Sequence, residues 1–169
     1  MNNKAHGKGI FTWPNGEIYD GEWDNNVKCG FGIWKGTVGD SYIGEWMDGK
    51  VHGYGVHTWK NGDRYEGEWV NGCKTGKGTD IYANGDEFTG EYENGKPHGF
   101  GTYKWKNGAS YTGEFANGIK DGFGKWKKDG RPNCNNYEGH FWNDMKHGEG
   151  TFTWESGNVY EGSYWMDLR

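Results

Sequence analysis

Short stretches of the chain alternate apolar and polar residues with a period of two, broken by clusters of Gly, Asn and Pro, which is the pattern of strands separated by tight turns. In an early pair, Tyr19, Gly21 and Trp23 share one face against Asp20 and Glu22. The preceding stretch sets Gly7, Gly9, Phe11 and Trp13 against Lys8, Ile10 and Thr12. Pro14-Asn15-Gly16 joins the two, and Asn61-Gly62, Asn84-Gly85 and Asn107-Gly108 occupy the same place further on. A two-residue loop there would throw the aromatic sets onto opposite faces of a sheet. A three-residue loop with Gly16 left-handed sets Phe11 opposite Tyr19 and gathers both sets on one face, the register that burial favours.

The pattern repeats. Tyr19, Tyr42, Tyr65, Phe88 and Tyr111 are 23 residues apart, and after a three-residue insertion Tyr137 and Tyr160 resume the step. Two residues on from each stands a glycine. Four on stands an aromatic: Trp23, Trp46, Trp69, Tyr92, Phe115, Phe141 and Tyr164. Between these lie Glu22, Glu45, Glu68, Glu91 and Glu114, a series broken by His140 and Ser163. The other half of each unit is a Gly-x-Gly, from Gly7 and Gly9 to Gly148 and Gly150. These spacings predict an all-β fold, an elongated single-layer twisted antiparallel sheet of seven consecutive hairpins at about 6–23, 29–46, 52–69, 75–92, 98–115, 121–141 and 147–164, forming one domain over 1–169. A lone hairpin is not stable in water, so the copies must support one another. Each aromatic, burying ~150 to 250 Å² at ~25 cal/mol per Å², can lie over a neighbouring strand's glycine, whose ordering costs only roughly 0.5 to 1 kcal/mol.

Composition agrees. Thirty-three glycines, 30 aromatics and a single leucine, Leu168, leave a helical core almost nothing to pack. The mean hydropathy of -1.11 would suggest disorder, but disordered chains are poor in aromatics. Cys29, Cys73 and Cys134, odd in number and scattered, fit a reducing compartment. No apolar run approaches the ~20 residues of a membrane span, and Met1 to Gly9 carries no signal-type segment, so the chain reads as soluble and cytoplasmic. Its net charge of -5 repels nucleic acid.

Units such as Tyr42-Ile43-Gly44-Glu45-Trp46, followed by Asp48-Gly49-Lys50-Val51-His52-Gly53-Tyr54-Gly55, resemble the MORN (membrane occupation and recognition nexus) repeat, over essentially the whole chain. The resemblance implies a sheet of hairpins that serves as a non-enzymatic binding scaffold for proteins in a cytoskeletal, ciliary or membrane-apposed assembly. It also implies two alternatives: a phospholipid- or phosphoinositide-binding module, disfavoured by the net charge, and the regulatory region of a larger enzyme. The abrupt stop at Arg169 suggests a piece of a longer protein.

No catalytic, metal or cofactor site is expected. In the column His6, Cys29, His52, Thr75, His98, Asp121 and His147, neighbours would stand roughly 10 Å apart, whereas zinc ligands lie ~2.0 to 2.3 Å from one ion, so the position reads as a turn residue. The glutamate ladder has no singular member and reads as structural, accepting hydrogen bonds from nearby turn amides or facing Lys8 and Lys77. No Gly-x-Gly extends to a phosphate-binding motif. The insertion at Arg131-Pro132-Asn133-Cys134-Asn135-Asn136 lengthens one hairpin tip. The aromatic face is the candidate site. With no second layer to cover it, Tyr42, Trp46, Trp59, Tyr65, Trp69, Phe88, Tyr92, Trp105 and Tyr111 are expected to stay partly exposed and to line a groove for a basic or amphipathic partner segment, or for a second copy docking through this face or the end strands.

Overall fold

The computed structural model of the protein describes residues 4–169; Met1–Asn3, the start of the predicted domain, lie outside it. Fourteen strands form one open antiparallel sheet in chain order, with no helix among the described residues. They are β1 (Gly7–Thr12), β2 (Ile18–Asp24), β3 (Val27–Lys35), β4 (Ser41–Met47), β5 (Lys50–Thr58), β6 (Arg64–Val70) and β7 (Cys73–Ile81), then β8 (Glu87–Glu93), β9 (Lys96–Lys104), β10 (Ser110–Ala116), β11 (Ile119–Lys127), β12 (Asn136–Trp142), β13 (Met145–Thr153) and β14 (Val159–Tyr164). The first seven belong to one compact unit ending at Ala83 and the second seven to another spanning Asn84–Arg169.

Two kinds of turn alternate. Within a repeat the loop is the predicted three-residue one: Trp13 N–H donates to the Glu17 carbonyl, Gly16 has φ +95°, and Phe11 pairs with Tyr19. Between repeats a two-residue turn has both residues left-handed, as at Asn25-Asn26 (φ 50° and 70°) and Asp48-Gly49 (φ 50° and 76°). That is the mirror-image turn whose twist matches the strands, and it demands Asn, Asp or Gly. The turns also tie repeats together, since Asp40 Oδ1 accepts the Lys60 N–H and Asp63 Oδ1 the Ala83 N–H.

The core is a ladder of rings on one face. Tyr42 lies over the cross-strand pair Gly44 and Gly55. A Cβ on Gly44 would stand 2.5 Å from the Gly55 Cα and 2.7 Å from the Tyr42 hydroxyl oxygen. Just beyond that pair the β4–β5 register shifts. The Tyr42 hydroxyl donates to the Glu45 carbonyl at that break, and Tyr19, Tyr65, Tyr111 and Tyr137 do the same to the carbonyl three residues on. Tyr19 and Tyr42 each meet, edge to face, the aromatic of their own strand and that of the next repeat: Tyr19 stands 5.0 Å from Trp23 and 5.2 Å from Trp46, and Tyr42 5.2 Å from Trp46 and 5.8 Å from Trp69. In the second unit Tyr111 likewise bridges Phe115 and Phe141. The Trp46 and Trp69 indoles also donate to the Gly32 and Gly55 carbonyls. Each such ring pair adds ~0.5 to 1.5 kcal/mol beyond the area it buries.

The glycine pair under the ring tolerates no methyl group. Gly55→Ala should therefore destabilise the protein by about 2 to 3 kcal/mol in urea denaturation. Gly130→Ala, where an added Cβ meets nothing within 4 Å, should stay within about 0.5 kcal/mol of the parent; equal effects at the two sites would refute the account.

Candidate functional site

The ring ladder closes on itself. Tyr42, Trp46, Tyr65, Trp69, Phe88, Tyr92 and Tyr111 are buried, none more than 8% exposed. The expectation that these seven stay partly uncovered is therefore corrected: mutual edge-to-face packing above the glycines does the work of a second layer. Trp59 and Trp105 are half-buried and remain within reach of a partner.

What stands open on this face lies beside the ladder. Trp34, His57 and Trp126 follow the Gly-x-Gly by two residues and are half-exposed. Lysines from the start of alternate hairpins lie among the rings. The Lys28 ammonium is 4.8 Å from the Trp46 centroid and 4.9 Å from that of Trp13, and Lys74 is 4.8 Å from Trp59 and 2.5 Å from Asp80 Oδ1. Burial pushes Lys28 and Lys120 below the ordinary lysine range, and it pushes His57 down, which keeps the imidazole neutral at pH 7. In the first unit Trp59 separates two hollows. One, of about 490 Å³, is lined by Lys28, Trp34, Val51, His57 and Trp69, and His57 Nδ1 has no hydrogen-bond partner among the described residues. The other, of about 540 Å³, is acidic, with Asp40, Asp63 and Asp80 around Lys74 and Tyr82.

The remaining columns have structural work. Glu45, Glu68, Glu91 and Glu114 accept the backbone N–H of Tyr54, Lys77, Phe100 and Phe123. These amides belong to the neighbouring strand's bulge rather than to a turn. The carboxylates sit where a Cβ on Gly53, Gly76, Gly99 or Gly122 would fall, and those glycines have positive φ. His52 Nδ1 accepts the Asn71 N–H at the next inter-repeat turn. Among the described residues no group of three His, Cys, Asp or Glu is arranged to hold a metal, and the three cysteines are free. At the insertion, Arg131 forks between Asp129 and Glu155 and holds the Asp129 carboxyl down at about 2, while the buried Cys134 thiol donates to the Asp129 carbonyl.

The profile of the family described as MORN repeat matches residues 1–18, 19–41, 42–64, 65–87, 88–110, 111–130 and 137–159. The chain belongs to the MORN-repeat family. The six MORN matches from residue 19 onward open on the ladder tyrosine or phenylalanine, so each of these joins the second strand of one hairpin to the first strand of the next. A 55-residue stretch is 33% identical to Alsin of Rattus norvegicus and equally to Alsin of Homo sapiens, covering 30% of this chain and about 3% of those relatives' length. Among solved structures, the SAS-4 (dCPAP) TCP domain of Drosophila melanogaster, in complex with a proline-rich motif of Ana2 (dSTIL), is similar in fold. Its TM-score is 0.55 at 8% identity over 94% of this chain and 85% of that one.

The MORN tyrosines carry a pH signature. Burial, reinforced by nearby acidic groups, raises Tyr19 and Tyr137 to about 12 and raises Tyr42, Tyr65 and Tyr111 likewise. The unfolded chain releases these protons near pH ~10, the folded one later, so their contribution to stability is complete below pH ~10 and is lost as the pH rises toward 12. Thermal midpoints from circular dichroism should fall steeply above pH ~10, with phenolate absorbance appearing together with unfolding. A midpoint level to pH 12 would refute this.

Proposed function

We propose that the chain is a non-enzymatic interaction scaffold, and that a basic or amphipathic partner segment lies along the ring-ladder face. In this reading Tyr42, Trp46, Tyr65 and Trp69 in the first unit, and Phe88, Tyr92 and Tyr111 in the second, form a rigid floor. Trp59 and Trp105 make the contact. The observation that carries the reading is the pair of hollows flanking Trp59, one aromatic with an unpartnered imidazole nitrogen and one rich in carboxylates. An apolar side chain fits the first and a cationic one the second. Family membership supports a binding role, and the similar TCP domain is itself seen holding a proline-rich motif. A cytoplasmic, cytoskeleton- or cilium-associated setting accords with this reading.

Comparative affinity capture from cells that express the chain tests it. A protein recovered with the wild type should fall at least fivefold with Trp59→Ala, whose far-ultraviolet spectrum and melting should stay near the parent because that ring stands outside the buried ladder. Undiminished recovery by the folded variant would refute the reading.

A further inference from the structure

An uncovered apolar surface of the first unit lies on the face opposite the ring ladder. Phe31 and Tyr54, the middle residues of two Gly-x-Gly motifs, are 54% and 52% exposed, and Ile43 is 45% exposed. Cross-strand pairing places Ile33 opposite Ile43 and Ile43 opposite Val56, an aliphatic row over β3, β4 and β5. The chain supplies its own control for this row. At the equivalent positions of the second unit stand Thr102, Thr112 and Lys125, so the sheet does not need aliphatic residues there. Three strands span about 9.6 Å, close to the ~10 Å width of one helix.

Charge decides the occupant. Glu45 pairs across the strand with Phe31 and accepts the Tyr54 N–H, which sets its carboxylate between the two exposed rings. No ion pair reaches Glu45, Glu22 or Glu68 among the described residues, and the one arginine beside the row, Arg64, is held by Glu66 at 2.6 Å. A carboxylate between two aromatic rings suits a guanidinium or ammonium group, which gains both a charge-assisted hydrogen bond and ring contact. A second copy would bring a further charge of -5 to the same surface.

We propose that this opposite face is a second docking surface, taking an amphipathic helix whose apolar stripe rests on the Ile33, Ile43 and Val56 row while an arginine or lysine sits on Glu45 between Phe31 and Tyr54. The surface is distinct from the ladder-face hollows, so a scaffold with both could hold two partners at once.

Fluorescence anisotropy on the full chain provides the test, with a labelled 18-residue amphipathic helix of leucine and arginine and its leucine–glutamate analogue as probes. The arginine helix should bind and the glutamate helix should bind at least tenfold more weakly. The triple variant Ile33→Thr, Ile43→Thr, Val56→Thr preserves β-propensity and at its first two positions copies the second unit's threonines. It should weaken binding about tenfold or more, and Glu45→Gln should weaken it severalfold. Glu114→Gln, the same charge change between Phe100 and Phe123, should leave binding unchanged. The proposal is overturned by failure of the arginine helix to bind, equal binding of both helices, equal losses with Glu45→Gln and Glu114→Gln, or insensitivity to the threonine substitutions. Loss with Trp59→Ala would assign the helix to the ladder face instead. Sedimentation showing a wild-type dimer that the triple variant dissociates would make the occupant a second copy and overturn the proposal as well.

Discussion

A tyrosine ring laid flat on two facing glycines is the contact on which the rest of the architecture depends. The Tyr42 ring can sink to the backbone because Gly44 and Gly55 present no side chains, and its hydroxyl then reaches the Glu45 carbonyl where the register shifts. Because the rings sink, their edges are low enough for Trp46 and Trp69 to close over Tyr42 from both sides. A chain with one leucine thereby acquires a dry core without a second layer of strands or helices.

Much of this was legible in the residues. The 23-residue step fixed the number of hairpins, and the parity of Phe11 against Tyr19 selected the three-residue loop over the two-residue one. The glutamates' role as acceptors followed from their being a ladder with no odd member, although the amides they serve lie in bulges that alternation alone does not reveal. The inter-repeat turns had a signal that went unread, the Asn-Gly or Asp-Gly step between the ladder aromatic and the next strand.

The burial of the predicted groove was not legible, because period two assigns a residue to a face and says nothing of how far a ring tilts along it. Tyr65 and Trp59 carry the same sequence signature of an aromatic on the inward face, yet one is wholly covered and the other is not. The apolar patch on the opposite face was not legible for a related reason. Asp20 and Glu22 gave it a polar character, while Phe31, Ile43 and Tyr54 occupy interleaved positions of neighbouring strands and form a patch only once the strands are paired. The lysines among the rings required the same pairing before Lys28 could be placed over Trp46.

Because Tyr19, Tyr42, Tyr111 and Tyr137 each borrow their outer cover from the following hairpin, the array can lengthen or shorten only in whole modules. Inserting a single residue inside a strand would invert every side chain beyond it and strand the next tryptophan on the wrong side, whereas three extra residues at the tip around Arg131 leave the Tyr137 ring between Phe141 and Tyr164, as Tyr111 lies between Phe115 and Phe141. Length in such a protein is thus quantised, and natural variation in it should be confined to hairpin tips or to duplication and loss of entire 23-residue blocks.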